Sequence, residues 1–178
     1  MCMSVVSELK TITVDSAELY KEYEHILEVA KQKGVKSKDT YGGLDGFEDD
    51  IQQVTRILED SNYKPWVPLD NIPHTLQLIN DIQQVHNNIT QVNYRRMKPS
   101  SNYTEHIDQG RFGPMTFHVP IMTNPSCYFC YPKNEQQMYH LELDKVYMCA
   151  VNKPHTFMNA GLEDRVHIHL HGDDTKRV

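Results

Sequence analysis

MTFHVPIM (115–122), CYFCY (127–131), MYHLEL (138–143), KVYMCAV (145–151) and RVHIHL (165–170) decide the fold. Each is short and rich in β-branched and aromatic residues. Each is closed off by Pro, Gly, Asn or Asp, the residues that favour turns. QVNYRRM (91–97) opens the series. Closely spaced strands with such punctuation predict an antiparallel sandwich or barrel. Toward the N-terminus the pattern changes near residue 90. Asp15 or Ser16 is placed to cap a helix through LYKEYEHILEVAKQK (19–33), which stops at Gly34. Leu19, Tyr23, Ile26, Leu27 and Ala30 form its apolar stripe. FEDDIQQVTRILED (47–60) repeats the helical spacing with Phe47, Ile51, Val54, Ile57 and Leu58. A third helix is expected over TLQLINDIQQVHNNI (75–89). The expectation is one α+β domain over 1–178. Residues 1–89 are read as mainly helical support packed on the outside of a jelly-roll core at 90–174.

The composition bounds what such a domain does. The chain has 178 residues, 39% hydrophobic and 24% charged, as an ordinary globular domain has. A net charge of −6 and a pI of about 5.9 argue against general nucleic-acid binding, which needs a positive surface. Arg95, Arg96 and Lys98 are the densest basic group before the C-terminus, and they read as a solvated strand edge. No apolar run approaches the roughly 20 residues that cross a bilayer, so no membrane partner is expected. MCMSVVSELK lacks the basic flank and apolar core of a signal peptide. The expectation is therefore a soluble cytoplasmic protein with reduced cysteines. Cys127 and Cys130 form a single CxxC. Zinc would want a second pair, and on a strand i and i+3 face opposite sides. Structural or incidental thiols are one reading, and a metal or redox role is the other.

The chemistry starts at TEHIDQG (104–110). His106 and Asp108 are two apart, and on a strand such residues project from one face. NKPHTFMNAG (152–161) offers His155 as a third ligand. Two histidines and one carboxylate would form a facial triad with open positions, which suits ferrous iron. Arg165 follows His155 by ten residues, and a hairpin between the two segments would bring its guanidinium near the metal. Its planar fork is a natural receptor for a carboxylate. The competing reading pairs Arg165 with Glu163 or Asp164 on the surface. His167, His169 and His171 alternate and offer a rival metal site of their own.

EHID, FHVPIMTN and VNKPHTFMNAGLEDRVHIHLHGD together resemble the aspartyl/asparaginyl β-hydroxylase family, with its amino acid and proline hydroxylase relatives. The resemblance covers roughly residues 90 to 174 and implies a cupin-like double-stranded β-helix. It implies an Fe(II)- and 2-oxoglutarate-dependent dioxygenase that consumes dioxygen and releases succinate and CO2. The substrate would be an amino acid, free or within a peptide or protein, of aspartyl, asparaginyl or prolyl type. By position, His106, Asp108 and His155 match the iron ligands, and Arg165 matches the arginine for the distal carboxylate of 2-oxoglutarate. His118 matches a histidine lining the cosubstrate pocket, and His167 one that supports Arg165. The family often has an arginine where this chain has Thr116, which offers a hydrogen bond without charge. Arg111 is a candidate to compensate or to meet an acidic substrate. Two other classes stay open: a cupin-like metalloenzyme that does not use 2-oxoglutarate, and a noncatalytic binding module on the same barrel.

Overall fold

The computed structural model describes residues 4–32, 51–55, 71–86, 89–108, 114–133 and 137–172. In chain order these contain β1 (Val6–Glu8), α1 (Ser16–Gln32), β2 (Ile51–Thr55), α2 (Pro73–Val85), β3 (Ile89–Met97) and β4 (Ser101–Asn102). There follow β5 (Met115–Met122), β6 (Cys127–Tyr131), β7 (Gln137–Tyr139), β8 (Tyr147–Ala150), β9 (Thr156–Asn159) and β10 (Arg165–Gly172). The strands form a six-stranded sheet in the order β1-β8-β5-β10-β3-β2 and a four-stranded sheet in the order β4-β9-β6-β7. Every strand pair is antiparallel. The architecture is the expected jelly roll.

Strand parity sorts the larger sheet into two faces. Val92 and Tyr94 of β3, Phe117, Val119 and Ile121 of β5, and Val166, Ile168 and Leu170 of β10 share a core with the two helices. That core includes Leu19, Tyr23 and Ile26 of α1 and Leu78, Ile79 and Ile82 of α2. The helices therefore cover the sheet's outer face, as expected. A second core, with Met97, Tyr147, Phe129, Tyr131 and Phe157, draws on both sheets and fills part of the barrel. The remaining interior positions on β10 are polar: Arg165, His167, His169 and His171 are all buried.

Asp15 caps α1, its Oδ1 accepting from the backbone N–H of Ala17 and Glu18 at 3.1 Å each. Ser16 instead donates to Pro120 O at 2.9 Å and fastens the helix to β5. α2 begins at Pro73, and its N-terminus receives a carboxylate from α1. Glu22 accepts from His74 N at 2.6 Å, and from Thr75 N at 2.9 Å and Thr75 Oγ1 at 2.6 Å. A buried anion at a helix N-terminus answers its free N–H groups and its dipole.

Three expectations need correction. The stretch expected as a second helix contains β2, which pairs with β3 through Ile51↔Tyr94 and Thr55↔Val92. Its apolar spacing fitted a helix, but a free sheet edge satisfies the backbone equally well, and β-branched residues favour it. β1 also lies in the supposed helical half, pairing with β8. The segments of His155 and Arg165 do not form a hydrogen-bonded hairpin: β9 belongs to the smaller sheet and β10 to the larger. The turn between them is built on Asn159, whose Nδ2 donates to Met97 O, Lys98 O and Glu163 O. Its Oδ1 accepts from Gly161 N and Asn124 Nδ2. Gly34 and Arg111 lie outside the described residues.

Candidate metal centre

His106 and His155 face each other as an isolated antiparallel bridge. Each backbone N–H donates to the other's carbonyl, at 3.0 and 2.9 Å. Asp108 N donates to Val151 O at 3.0 Å, so the third residue is held by the same pair of segments. Ile107 between them is 41% exposed, which leaves His106 and Asp108 on the other side. The ligand atoms of His106, Asp108 and His155 lie within 4.8 Å of one another. It is the only such group of three among the described residues.

Backbone carbonyls select the tautomers. His106 Nδ1 lies 2.9 Å from Thr104 O, and His155 Nδ1 lies 2.9 Å from Lys153 O. A carbonyl only accepts, so both Nδ1 atoms carry the proton and both Nε2 atoms keep a lone pair. Burial pulls the His155 pKa below its ordinary value, which favours the neutral, metal-binding form. Phe129 stacks on its ring with centroids 5.3 Å apart and planes 7° apart. His106 and Asp108 are less buried, with side chains 29% and 20% exposed, so the cluster opens on their side. Two imidazoles and one carboxylate at this separation suit a divalent iron ion.

The three line a cavity with His118, His169, His171 and Arg95. The cavity volume is about 30 Å³, and it is open on one side. His118 lies opposite His169 in the ladder and stacks on it at 4.4 Å. His118 Nε2 and Thr116 Oγ1 are hydrogen-bonded at 3.2 Å, and Thr116 is fully buried. Burial, reinforced by nearby guanidinium charge, holds His118 and His167 well below the usual imidazole range. His169 is shifted the same way by burial. His171 is pushed down to about 3 by burial and Arg95.

Arg165 is 3% exposed and does not follow the surface reading. Asp164 pairs instead with Arg96 at 2.6 Å. Arg165 Nη2 donates to His167 Nδ1 at 3.0 Å, and its guanidinium lies 5.3 Å from the Phe157 ring centre. Burial pulls its pKa down to about 10, partly offset by the thiols of Cys127 and Cys149. No acid pairs with it among the described residues.

The histidine row does not assemble as the rival metal site. His167 is engaged by Arg165, while His169 and His171, with ring centres 4.3 Å apart and planes tilted by 57°, belong to no group of three metal-ligating side chains among the described residues. Cys127 and Cys130 are buried and free, and Cys127 Sγ donates to Asn159 Oδ1 at 3.3 Å, a structural contact. One site residue escaped the sequence reading. Arg95 was expected on a solvated edge, yet it lines the cavity and its Nε is buried. Its parity with Asn93 and Met97, opposite the apolar Val92 and Tyr94, was the available signal.

Residues 7–173 match the family model described as Aspartyl/Asparaginyl beta-hydroxylase. No curated protein matches significantly. Among solved structures, the chain resembles a Trichoplax adhaerens prolyl hydroxylase in complex with a hypoxia inducible factor oxygen degradation domain peptide. That likeness has 16% identity, a TM-score of 0.61, and covers 90% of this chain and 79% of that one. A Pseudomonas putida prolyl-4-hydroxylase is similar at 7% identity and TM-score 0.57, covering 94% and 91%. The chain spans 58% of a 2OG-Fe(II) oxygenase family oxidoreductase from Burkholderia pseudomallei, with 57% of its own length, 12% identity and a TM-score of 0.47. At these identities the likenesses to the two prolyl hydroxylases speak for the fold alone.

Proposed function

Since the chain belongs to the aspartyl/asparaginyl β-hydroxylase family, we propose that it is an Fe(II)- and 2-oxoglutarate-dependent dioxygenase that hydroxylates an amino acid, free or within a peptide. The observation that carries this reading is one barrel interior holding both a His-Asp-His cluster and a buried arginine that pairs with no acid among the described residues. Either feature alone has other uses, but together they suit a divalent metal and a carboxylate ligand.

His106 Nε2, an Asp108 oxygen and His155 Nε2 hold the iron. Bound iron and 2-oxoglutarate supply the oxidation of an unactivated C–H bond by dioxygen, with release of succinate and CO2. Arg165 would receive the distal carboxylate of 2-oxoglutarate, for which a guanidinium is a natural partner. His167 keeps the guanidinium plane oriented by accepting from Nη2. Thr116 and His118 present a hydroxyl and an imidazole to the same ligand from β5. Phe129 and Phe157 pack against His155 and Arg165 and keep water from them. Substrate approaches from the side of His106 and Asp108, where the cluster is open. A peptide substrate is supported by the Trichoplax adhaerens enzyme, whose structure carries a peptide. No helix among the described residues is long and apolar enough to cross a membrane.

Anaerobic titration tests the reading. Adding Fe(II) and 2-oxoglutarate together should produce a weak visible charge-transfer band that neither gives alone. A spectrum unchanged by 2-oxoglutarate would favour a cupin-like metalloenzyme that does not use it.

A further inference from the structure

Arg95 stands opposite His167 in the β3–β10 ladder. Directly opposed residues of an antiparallel pair share a face, so Arg95 projects into the barrel. It lines the cavity with His169 and His171, which lie further along β10, away from Arg165. Arg95 is the only guanidinium on that cavity wall, and the same wall carries His106, Asp108 and His155. Its Nε is buried without a hydrogen-bond partner. The neighbouring Arg96 has Asp164, but no ion pair involves Arg95 among the described residues. Thr116 and His118, across β10, bring no fixed charge. The wall beside the metal cluster thus holds a guanidinium that meets no acid among the described residues. A donor shut away from water without a partner is costly, and a guanidinium fork fits a carboxylate.

We propose that Arg95 is a second anion receptor in this site, binding the carboxylate next to the keto group of 2-oxoglutarate while Arg165 binds the distal one. The assignment rests on the cosubstrate reading above. A dianion lying along β10 meets one guanidinium at each end. Arg165 marks the end where β10 begins, and Arg95 reaches the end where the metal ligands converge.

The test is calorimetry on the protein loaded with Mn(II), a redox-silent stand-in for iron. Three ligands are compared: 2-oxoglutarate, 2-oxobutanoate, which lacks the distal carboxylate, and 4-oxobutanoate, which lacks the one beside the keto group. Arg95→Gln should weaken 2-oxoglutarate and 2-oxobutanoate by about ten- to hundredfold. It should leave 4-oxobutanoate and Mn(II) affinity nearly unchanged. Arg95→Met, which keeps the stem's packing, should give the same pattern if Gln disturbs the strand. Wild-type 2-oxoglutarate affinity in both variants overturns the assignment and leaves the cosubstrate reading standing. Equal losses for all three ligands overturn it too, because they indicate a general disturbance. If wild-type protein binds Mn(II) but not 2-oxoglutarate, the cosubstrate reading itself fails and takes the assignment with it.

Discussion

Arg165 gives a hydrogen bond to His167 at 3.0 Å and lays its guanidinium 5.3 Å from the Phe157 ring centre, so a buried cation meets a neutral acceptor and an aromatic face but, among the described residues, no acid. Even pulled down to about 10, it stays charged at neutral pH. Truncating one partner of a buried charge pair costs about 3–5 kcal/mol. Arg165→Ala should weaken 2-oxoglutarate binding on that scale, and Arg165→Lys, which keeps charge without the fork, should weaken it less. Metal affinity should change little. Calorimetry on the metal-loaded variants checks this, and equal 2-oxoglutarate affinity in wild type and Arg165→Ala would sink the role.

Asp108 is the only carboxylate in the candidate metal cluster. Asp108→Ala should lower Mn(II) or Fe(II) affinity by more than about a hundredfold, since losing a ligand costs more than losing its support. Its side chain is partly exposed and its ion-pair contact is 3.5 Å to His106, so the metal-free fold should survive. Metal titration and thermal melting separate the two effects. Retained metal affinity would remove Asp108 from the site.

The interior histidines make stability depend on pH. His118, His167 and His169 lie well below the ordinary imidazole value, and His171 is at about 3, mainly through burial. In the unfolded chain each returns to about 6.5. Below that value the unfolded chain binds more protons than the folded one, so stability is full above about pH 6.5 and falls below it. Each such histidine costs about 1.4 kcal/mol per pH unit between its two values. Metal-free protein should melt several degrees lower at pH 5.5 than at pH 7.5. A flat melting temperature across that range would contradict the buried neutral state.

The turn between β9 and β10 allows no side chain at Gly161. A Cβ there would sit 2.2 Å from Asn124 Oδ1 and 2.5 Å from its Cγ. The Asn124 amide cannot step aside freely. Its Nδ2 donates to Asn159 Oδ1 and Glu163 O, and its Oδ1 accepts from Ser126 N. Gly161→Ala should destabilise the fold by about 1–3 kcal/mol, the range for overpacking. Denaturant unfolding measures this, and an unchanged midpoint would mean the Asn124 network yields without cost.

The sequence disclosed the jelly roll where strands carried β-branched and aromatic runs, as β5, β6 and β10 do. It disclosed His106 and Asp108 because spacing by two fixes their common side whatever the register. It misled over Ile51–Thr55, since Ile51, Val54, Ile57 and Leu58 fit a helical stripe and only pairing with β3 decides otherwise. β1 is three residues long at a sheet edge, too short to leave a periodic trace. Arg95 and Arg96 were read as one basic group, but adjacent strand residues face opposite ways. Arg96 meets Asp164, and Arg95 enters the cavity. Which side was the interior depended on the ladder with β10, and a ladder register is not written in either strand alone.

β10 carries Val166, Ile168 and Leu170 toward the helices and Arg165, His167, His169 and His171 into the barrel interior, where His169 and His171 line the cavity beside the metal cluster. Neither set is dispensable, and the two interleave residue by residue. Deleting one codon within the strand would exchange the sets, driving imidazoles into the apolar layer and aliphatic groups into the barrel. The strand therefore tolerates substitution at single positions far better than any change in length. In a deletion scan, β10 should be a sharp gap in survival, and a lineage that diversifies this enzyme must do so in loops that leave β10 uncut.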